Sequence, residues 1–357
     1  MPYLSDESDT QFRYLSARDV AGLCAPDVVL SAAEQALRLH SLGRTILPSE
    51  SYLAWQAPSG AGARCLAMPG ALSTDEGLIV GLKTINASLA NTSSGRKRSD
   101  GFTILLDPET ARPIAVLQAA HMSAQRTAAV SAIGARLLAP AATTLGIVGC
   151  GTLGVAHAVL LGHALPGVSA IRLFDVLRPQ ADELARYLGE EFPGRFALTV
   201  APTAESCVRE SNVVVLATTT SKAYVPYHWI SPGTFISNVS LDDLFPEVFQ
   251  RCDYLVVDDW SLVCDDERRM LGRLARAGLV GGPGGQPGQS GEHGAAPAPR
   301  AVDATLGQLL TGERPGPQSR DAVAVCNPFG MAILDVALAY SVVAAAEAAG
   351  TGIMLPL

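Results

Sequence analysis

The sequence lacks several features that would assign it to common functional classes. Its seven cysteines form no C-x-x-C pair or other metal-ligand spacing, which predicts reduced thiols and no metal centre. The segment from Met1 to Thr10 is acidic and shows no basic region followed by an apolar one, so we predict no secretion signal and a cytosolic location. No window of about eighteen residues is free of charges and breaker clusters, so we predict no membrane span.

Basic stripes are missing as well. The formal net charge is -8, with 34 acidic against 26 basic residues, which argues against nucleic acid or an anionic membrane as a partner. An anionic small molecule must then be held by individual lysines and arginines. With 48% hydrophobic and 17% charged residues, the 357-residue chain has the composition of a folded protein and the length of two domains with a cleft.

The first part of the chain predicts an α+β domain. Apolar residues at helical spacing over 17–43, with Ser16 as N-cap, predict one long helix. Four β-rich runs divided by Gly, Pro, Asn and Asp clusters predict a mainly antiparallel sheet at 64–68, 77–85, 102–106 and 113–117. An Ala-rich helical segment over 327–350 is predicted to return to this domain, which is therefore discontinuous.

The middle of the chain alternates strands with helices. After a small-residue helix over 122–138, continuous apolar runs suit parallel strands buried on both faces; they lie at 144–148, 170–174, 212–217, 234–238 and 254–257. We predict a doubly wound α/β dinucleotide-binding domain over 126–321, and a substrate-binding and dimerisation domain over 1–125 and 322–357. Residues 281–300, dominated by Gly, Pro, Gln and Ala, are predicted to form a flexible surface loop.

A glycine turn, G-C-G-T-L-G at 149–154, carries the clearest functional signal. It follows an apolar strand, opens an apolar helix, and is followed by a strand ending at Asp175, as in Rossmann dinucleotide-binding domains. The glycines permit the tight turn, the approach of a diphosphate and close helix–strand packing. Asp175 is predicted to bind the ribose hydroxyls and to repel a 2'-phosphate, which favours NAD over NADP, although Arg178 lies nearby. The alternative is a glycine turn that merely ends a strand.

Further cofactor contacts are predicted around this turn and at the carboxyl edge of the sheet, where ligands bind in such folds. The predicted cofactor-binding residues are Gly149, Gly151, Thr152, Leu153, Gly154, Asp175, Thr218, Thr219 and Ser240.

Four cationic residues of the first domain are candidates for binding substrate carboxylates. Arg64, Lys83 and Arg126 each lie in or beside an apolar stretch, where a charged side chain needs a counter-anion or a path to solvent. The alternative for each is a surface residue with its stem packed down. Arg98 is a weaker candidate because basic runs such as 96–98 are more often solvated loops.

An acidic candidate for proton transfer follows the predicted strand 234–238. Asp242 and Asp243 are equivalent on spacing alone, and a helix-capping role is the alternative for either. Asp258 and Asp259, which end the next predicted strand, carry the same ambiguity.

Together these residues resemble the ornithine cyclodeaminase and mu-crystallin family. The segments that carry the resemblance are 64–69, 81–83, 107–110, 126–131 and the glycine turn. Four further segments resemble more particularly the SbnB-type dehydrogenases of that family, at 233–240, 256–261, 306–312 and 327–332. The sequence departs from the family pattern in the acidic residue at 242 and in the added segment 281–300.

The resemblance implies an NAD-dependent oxidation of N-(2-amino-2-carboxyethyl)-L-glutamate, with hydrolysis to L-2,3-diaminopropionate and 2-oxoglutarate. It implies Arg64, Lys83 and Arg126 as carboxylate ligands, Lys83 also as a catalytic residue, and Asp243 as the acid beside the reacting carbon. A homodimer, a partner synthase that makes the substrate from O-phosphoserine and glutamate, and a downstream siderophore or peptide-antibiotic pathway are implied as well.

Other reactions of the same family are the alternatives: ornithine cyclodeamination, ketimine reduction or alanine dehydrogenation. A non-catalytic, crystallin-like binding protein is a further alternative. The combination of Lys83, Arg126 and Asp243 favours an enzyme, because binding alone has less use for a poised base.

Overall fold

The computed structural model describes residues 11–88, 90–285 and 300–357, which divide into two units. Unit 1 comprises the described residues up to Arg126 together with Met331–Leu357, and unit 2 is Thr127–Gly330. The strands of unit 1 are β1 (Gln11–Leu15), β2 (Thr45–Ile46), β3 (Ser51–Gln56), β4 (Gly62–Ser73), β5 (Leu78–Ser88), β6 (Ser99–Leu106), β7 (Pro113–Gln118) and β18 (Ile353–Pro356). Its helices are α1 (Ala17–Leu23), α2 (Pro26–Ser41), α3 (Ala90–Ser93), α4 (Ala119–Leu138), which continues into unit 2, and α12 (Ala332–Ala349).

Unit 2 alternates short strands with helices. Its strands are β8 (Thr144–Val148), β9 (Ala170–Phe174), β10 (Ala197–Val200), β11 (Val213–Leu216), β12 (Phe235–Asn238), β13 (Tyr254–Val257), β14 (Val280–Gly281), β15 (Arg300–Ala301), β16 (Ala304–Thr305) and β17 (Ala324–Cys326). Its helices are α5 (Thr152–Ala164), α6 (Arg178–Glu191), α7 (Ala204–Arg209), α8 (Pro246–Arg251), α9 (Trp260–Asp265), α10 (Met270–Arg276) and α11 (Leu306–Thr311), with 3-10 turns at Tyr227–Trp229 and Pro283–Gly285.

The prediction of one helix over 17–43 is wrong. Ser16 does cap α1, because its hydroxyl accepts the N–H of Asp19 while the Asp19 carboxylate accepts the N–H of Ser16. The helix then ends at Leu23, and α2 begins at Pro26 after a turn of 85°. Proline disfavours a helical conformation for the residue before it and lacks the N–H that would continue the helix.

The sheet of unit 1 is mainly antiparallel, as predicted. Among the described residues its order is β18-β1-β7-β6-β5-β4-β2, with β3 also paired to β4, and β1 and β7 pair in parallel. Helix α12 packs on β4, β5 and β6 and against α2. By length and composition α12 is apolar enough to span a membrane, but most of it is buried, and it is the core helix of this unit.

The sheet of unit 2 is parallel throughout. Among the described residues its order is β10-β9-β8-β11-β12-β17-β13-β16. This doubly wound sheet confirms the predicted α/β class. The predicted domain boundary at 321/322 is wrong, because β17 lies between β12 and β13 and carries residues 322–330 into unit 2. A strand of three residues is too short for its period to be recognised in the sequence.

The predicted loop over 281–300 falls largely outside the described residues, which omit 286–299. At its two ends β14 and β15 pair in parallel, with Gly281 opposite Ala301.

Candidate active site

The glycine turn joins β8 to α5 in unit 2. Gly149 has φ +95°, and a Cβ there would lie 2.6 Å from the carbonyl oxygen of Ala217, so only glycine fits. A Cβ on Gly154 would collide with the carbonyl oxygen of Gly149, and would force the helix away from the strand. The tight turn and the close packing therefore depend on these two glycines, as the sequence predicts.

The turn fits the diphosphate of a dinucleotide. Among the described residues, no atom lies within 4 Å of a Cβ built on Gly151, so the backbone here is open to close approach. Gly151 is the N-cap of α5, and the first intrahelical bond runs from the N–H of Val155 to the oxygen of Gly151. The N–H groups of Thr152 and Leu153 precede that bond and are available to an anion at the positive end of the helix dipole.

Asp175 lies directly beside this turn. Its Oδ2 accepts the N–H of Cys150 at 2.8 Å and its Oδ1 accepts the N–H of Leu177 at 2.9 Å. The half-buried carboxylate is thus fixed at the end of β9, the position of a ribose-binding acid in Rossmann domains. Arg178 makes an ion pair with Asp182 one turn along its own helix, at 3.3 Å.

A buried histidine is hydrogen-bonded to the glycine turn. His157 Nδ1 lies 2.6 Å from the oxygen of Leu153, and its Nε2 lies 2.9 Å from Ser131 Oγ, which is 2.7 Å from Ser237 Oγ. Burial lowers the pKa of His157 to about 4, so the ring is neutral, donates from Nδ1 and accepts at Nε2. This network ties α4 and β12 to the first turn of α5, and sequence reasoning did not find it.

Asp243 is fully buried and is held by neutral donors. Its Oδ1 accepts the hydroxyl of Thr218 at 2.7 Å and the hydroxyl of Tyr224 at 2.9 Å. Its Oδ2 is buried and has no hydrogen-bond partner among the described residues. Burial, and then the nearby Asp243 carboxylate, raise the pKa of Tyr224, so the phenol stays protonated and donates. Oδ2 is consequently the oxygen that can accept a proton.

Its neighbour Asp242 has a different environment. Its carboxylate pairs with Arg273 of α10 at 2.6 Å, so its charge is already neutralised. Asp259 caps α9 by accepting the N–H of Leu262, and Asp258 accepts the N–H groups of Phe329 and Gly330. The structure thus separates four acids that spacing left equivalent, and gives Asp258 and Asp259 structural roles.

The residues predicted beyond the turn lie around Asp243. The N–H of Thr218 donates to Ser240 Oγ at 2.9 Å, and the Ser240 hydroxyl donates to the oxygen of Leu216 at 2.8 Å. Thr219 is exposed beside them. Thr218 and Ser240 therefore join Asp243 in one hydrogen-bonded group at the carboxyl edge of the sheet, while their contacts to a cofactor remain a prediction.

In unit 1 the structure brings two of the predicted cations together on one acid. Lys83 Nζ lies 2.8 Å from Asp335 Oδ2, and Arg126 Nε lies 3.2 Å from the same carboxylate. Lys83 is 1% exposed and Asp335 is fully buried. Burial and then the Arg126 charge lower the pKa of Lys83 to about 8, against the opposing effects of Asp335 and Glu50.

The other two cations form a second, more exposed pair. Arg64 on β4 pairs with Ala87 on β5, and the oxygen of Arg98 accepts the N–H of Ser88, so both lie at the same end of β5. Partial burial and then the charge of Arg64 lower the pKa of Arg98. Within the described ranges neither guanidinium makes an ion pair with an acid.

One residue in each unit was missed in the sequence: an acid in unit 1 and a tyrosine in unit 2. Asp335 is an acid inside an apolar helix, so the rule that selected Lys83 would also have found it. Tyr224 lies in an irregular segment with no local signal, and only its contact with Asp243 identifies it.

Known proteins resemble this chain over most of its length. Residues 12–350 match the model of the ornithine cyclodeaminase/mu-crystallin family. The chain belongs to this family. The resemblance noted in the sequence is thereby confirmed.

Individual family members cover nearly the whole chain. N-((2S)-2-amino-2-carboxyethyl)-L-glutamate dehydrogenase from Staphylococcus aureus is 33% identical over 96% of this chain and 98% of its own length. A crystal structure of CmnK is 37% identical, with a TM-score of 0.83 over 98% of this chain and 99% of that one. An archaeal alanine dehydrogenase dimer with bound NAD is 25% identical, with a TM-score of 0.81 over 97% and 99%.

Proposed function

We propose that this family member is an NAD-dependent dehydrogenase that converts N-(2-amino-2-carboxyethyl)-L-glutamate and water to L-2,3-diaminopropionate and 2-oxoglutarate. One observation carries the choice of substrate: the cations of unit 1 form two pairs, Lys83 with Arg126 and Arg64 with Arg98. The first pair shares a buried acid, and the second makes no ion pair with an acid among the described residues.

The proposed substrate has three carboxylates on a secondary amine, whereas alanine has one carboxylate. A site for alanine needs a single cationic anchor, and a second pair of like charges would be destabilising without an anion between them. Two cation pairs therefore support a polycarboxylate substrate. The similarity to the staphylococcal dehydrogenase supports the same choice.

The residues of the chain bind the substrate and move its protons. When bound, NAD supplies the acceptor for the hydride of the glutamate α-carbon. Lys83 and Arg126 hold a carboxylate of the amine, and Asp243 Oδ2 accepts the proton of the substrate ammonium, which frees the nitrogen lone pair. After that proton has passed to solvent, the ionised carboxylate takes a proton from the water that attacks the carbon–nitrogen double bond. It returns this proton to the nitrogen as the bond between that nitrogen and the glutamate carbon breaks. Thr218 and Tyr224 donate hydrogen bonds to Oδ1, so Oδ2 is the oxygen proposed to accept these protons.

A stoichiometric assay tests the proposal. Purified protein is given the aminocarboxyethyl-glutamate and excess NAD, and NADH, 2-oxoglutarate and diaminopropionate are each measured. We expect the three products in equal amounts and much slower reactions with alanine and ornithine. Ornithine cyclodeamination would release ammonium without net NADH, and a binding protein would bind NAD without forming any product. Either result would overturn the proposal.

We infer that the protein is a homodimer formed through the sheet of unit 1. The strand register places Leu53, Trp55 and Phe102 on the face opposite Lys83, and each of the three is at least 45% exposed. An apolar sheet face of this kind is typical of an interface. Sedimentation analysis tests this: we expect a dimer for the natural protein and a monomer for Trp55→Glu, and a natural monomer would contradict the inference.

We also propose a cellular context from the proposed chemistry. A synthase that joins phosphoserine-derived carbon to glutamate must supply the substrate, and a siderophore or peptide-antibiotic assembly would use the diaminopropionate. The seven cysteines form no disulfide and six of them are buried, which suits the reducing cytoplasm. A coupled assay with such a synthase, O-phosphoserine, glutamate and NAD tests the first step; no NADH in that mixture would contradict it.

A further inference from the structure

We propose that Asp335 is a positioning residue that anchors Lys83 and Arg126 side by side and fixes the charge that they present to a substrate carboxylate. This inference rests on the proposed function for the identity of the ligand, but its central test does not need a substrate. The sequence resemblance implies no role for this acid.

The geometry is that of a buried triad. Asp335 comes from α12, Lys83 from β5 and Arg126 from α4, so three separate elements of unit 1 meet at one carboxylate. Asp335 is fully buried and contacts Lys83 at 2.8 Å and Arg126 at 3.2 Å. These two ion pairs therefore lie in the interior and not at the protein surface. Ser123 Oγ, at 3.4 Å from Lys83 Nζ, adds a neutral contact from α4.

The charges of the triad sum to +1 when all three groups are ionised. One carboxylate of a ligand neutralises that excess, whereas the two cations alone would repel each other in a site shielded from water. Asp335 engages Arg126 through Nε, so the anchor sets the direction in which the two terminal NH₂ groups point. Those groups form the fork that matches a carboxylate.

Asp335 also decides which cation keeps its proton. Arginine stays protonated at any ordinary pH. Removing the charge of Asp335 therefore changes the protonation of Lys83 and not that of the arginine. The groups that act on Lys83 are Arg126 from α4, which lowers its pKa, and Asp335 from α12 and Glu50 ahead of β3, which raise it. With Asp335 neutral, burial and Arg126 would dominate, and Lys83 would lose its charge at lower pH.

The chain is well suited to a direct measurement, because it contains three lysines: Lys83, Lys97 and Lys222. Protein labelled with ¹³C-lysine gives three side-chain Cε signals whose shifts report protonation as pH is varied, and Lys83→Arg assigns the signal of Lys83. We expect Lys83 to titrate near pH 8 in the natural protein. In Asp335→Asn we expect its midpoint to fall by about one unit or more.

Matched controls separate this effect from general disturbance. Glu347→Gln removes an exposed acid from the same helix and should leave the Lys83 midpoint unchanged. If Asp335→Asn does not fold, Arg126→Gln gives the complementary test, because Lys83 left with Asp335 alone should titrate at higher pH. An unchanged Lys83 midpoint in Asp335→Asn, or an unchanged or lower one in Arg126→Gln, overturns the proposal.

Kinetics supply a second readout that a purely structural role would not move. The charged form of Lys83 binds the carboxylate, so kcat/KM should fall as pH rises through about 8. Asp335→Asn should move this fall to lower pH, mainly through KM, and the displacement should vanish when Lys83→Met is also present. A shifted lysine signal without turnover of the proposed amine would contradict the proposed function and leave the role of Asp335 intact. Turnover of the amine without a shifted lysine signal would contradict the role of Asp335 and leave the proposed function intact.

Discussion

The two units hold their buried charges in different ways. In unit 1, Lys83 and Arg126 share the carboxylate of Asp335, so charge is balanced by charge. In unit 2, Asp243 receives hydroxyl donors from Thr218 and Tyr224, and its second oxygen has no partner among the described residues. Two cations that share one carboxylate keep a net positive charge and can hold an anion in a fixed place. A carboxylate whose second oxygen has no hydrogen-bond partner can accept a proton there. Under the proposed function, this contrast predicts substrate binding by the cations of unit 1 and proton transfer by the acid of unit 2.

The largest effect should come from Asp243→Asn. The amide keeps an oxygen for Thr218 and Tyr224 but cannot accept a proton, so kcat should fall by about 10³-fold while NAD binding persists. Steady-state NADH formation and NAD titration measure the two quantities. Asp242→Asn, which loses only the pair with Arg273, is the matched control and should stay close to the natural rate. A fully active Asp243→Asn would remove proton transfer from unit 2.

Lys83→Met should mainly damage binding. Truncating one member of a buried, hydrogen-bonded charge pair costs about 3 kcal/mol, so KM for the polycarboxylate amine should rise roughly 100-fold with a smaller change in kcat. Arg126→Ala should behave alike. Initial rates over a range of substrate concentrations, with circular dichroism to check the fold, distinguish KM from kcat. Arg18→Ala, an exposed cation of α1, serves as control. Near-natural kcat/KM in either variant would remove that residue from the site.

Tyr224→Phe should have the opposite signature. It removes one hydroxyl donor from Asp243 Oδ1 and leaves Thr218 in place, and a hydrogen bond to a charged group contributes about 1.5–3 kcal/mol. We expect kcat to fall by roughly 10-fold or more with KM almost unchanged. Tyr227→Phe, three residues away, should leave both constants unaffected. If Tyr224→Phe changed KM alone, the predicted separation of binding in unit 1 from proton transfer in unit 2 would be wrong.

The smallest effect should come from Asp175→Ser. Loss of this charge removes the repulsion of a 2'-phosphate, an effect of about 1 kcal/mol near water, so the preference for NAD over NADP should decline by roughly fivefold. The ratio of kcat/KM for the two cofactors measures it, with Asp182→Ser as control for the neighbouring ion pair with Arg178. An unchanged ratio would show that Asp175 acts only on the backbone N–H groups of Cys150 and Leu177.

Local patterns in the sequence predict the parts of this protein that depend on neighbouring residues. Strand β8 has the predicted bounds, and the turn after it needs glycine at 149 because of its positive φ. The break at Pro26 has an equally local cause and was missed because the apolar spacing continues across it. Strand β17 could not be predicted, since three residues carry no period and their partners are β12 and β13.

The candidate functional residues show the same limit: the sequence points to the residues themselves but not to their distant partners. Lys83 and Arg126 were identified from their positions in apolar stretches, and Asp243 was preferred to Asp242 through the family resemblance. The partners of all three were not predicted. Asp335 lies 252 residues from Lys83 along the chain. Asp242 pairs with Arg273, 31 residues away, whereas Asp243 accepts the hydroxyls of Thr218 and Tyr224. Contacts of this range leave no trace in local spacing.

The amino-acid sequence alone determined the α/β class, the glycine turn and the set of charged residues available for chemistry, because periodicity, backbone freedom and desolvation act within a few residues of the chain. Only the tertiary structure decided which charges are neutralised and which stay available. Packing distant segments together gave Lys83 and Arg126 a shared acid, and left Asp243 one oxygen without a partner among the described residues.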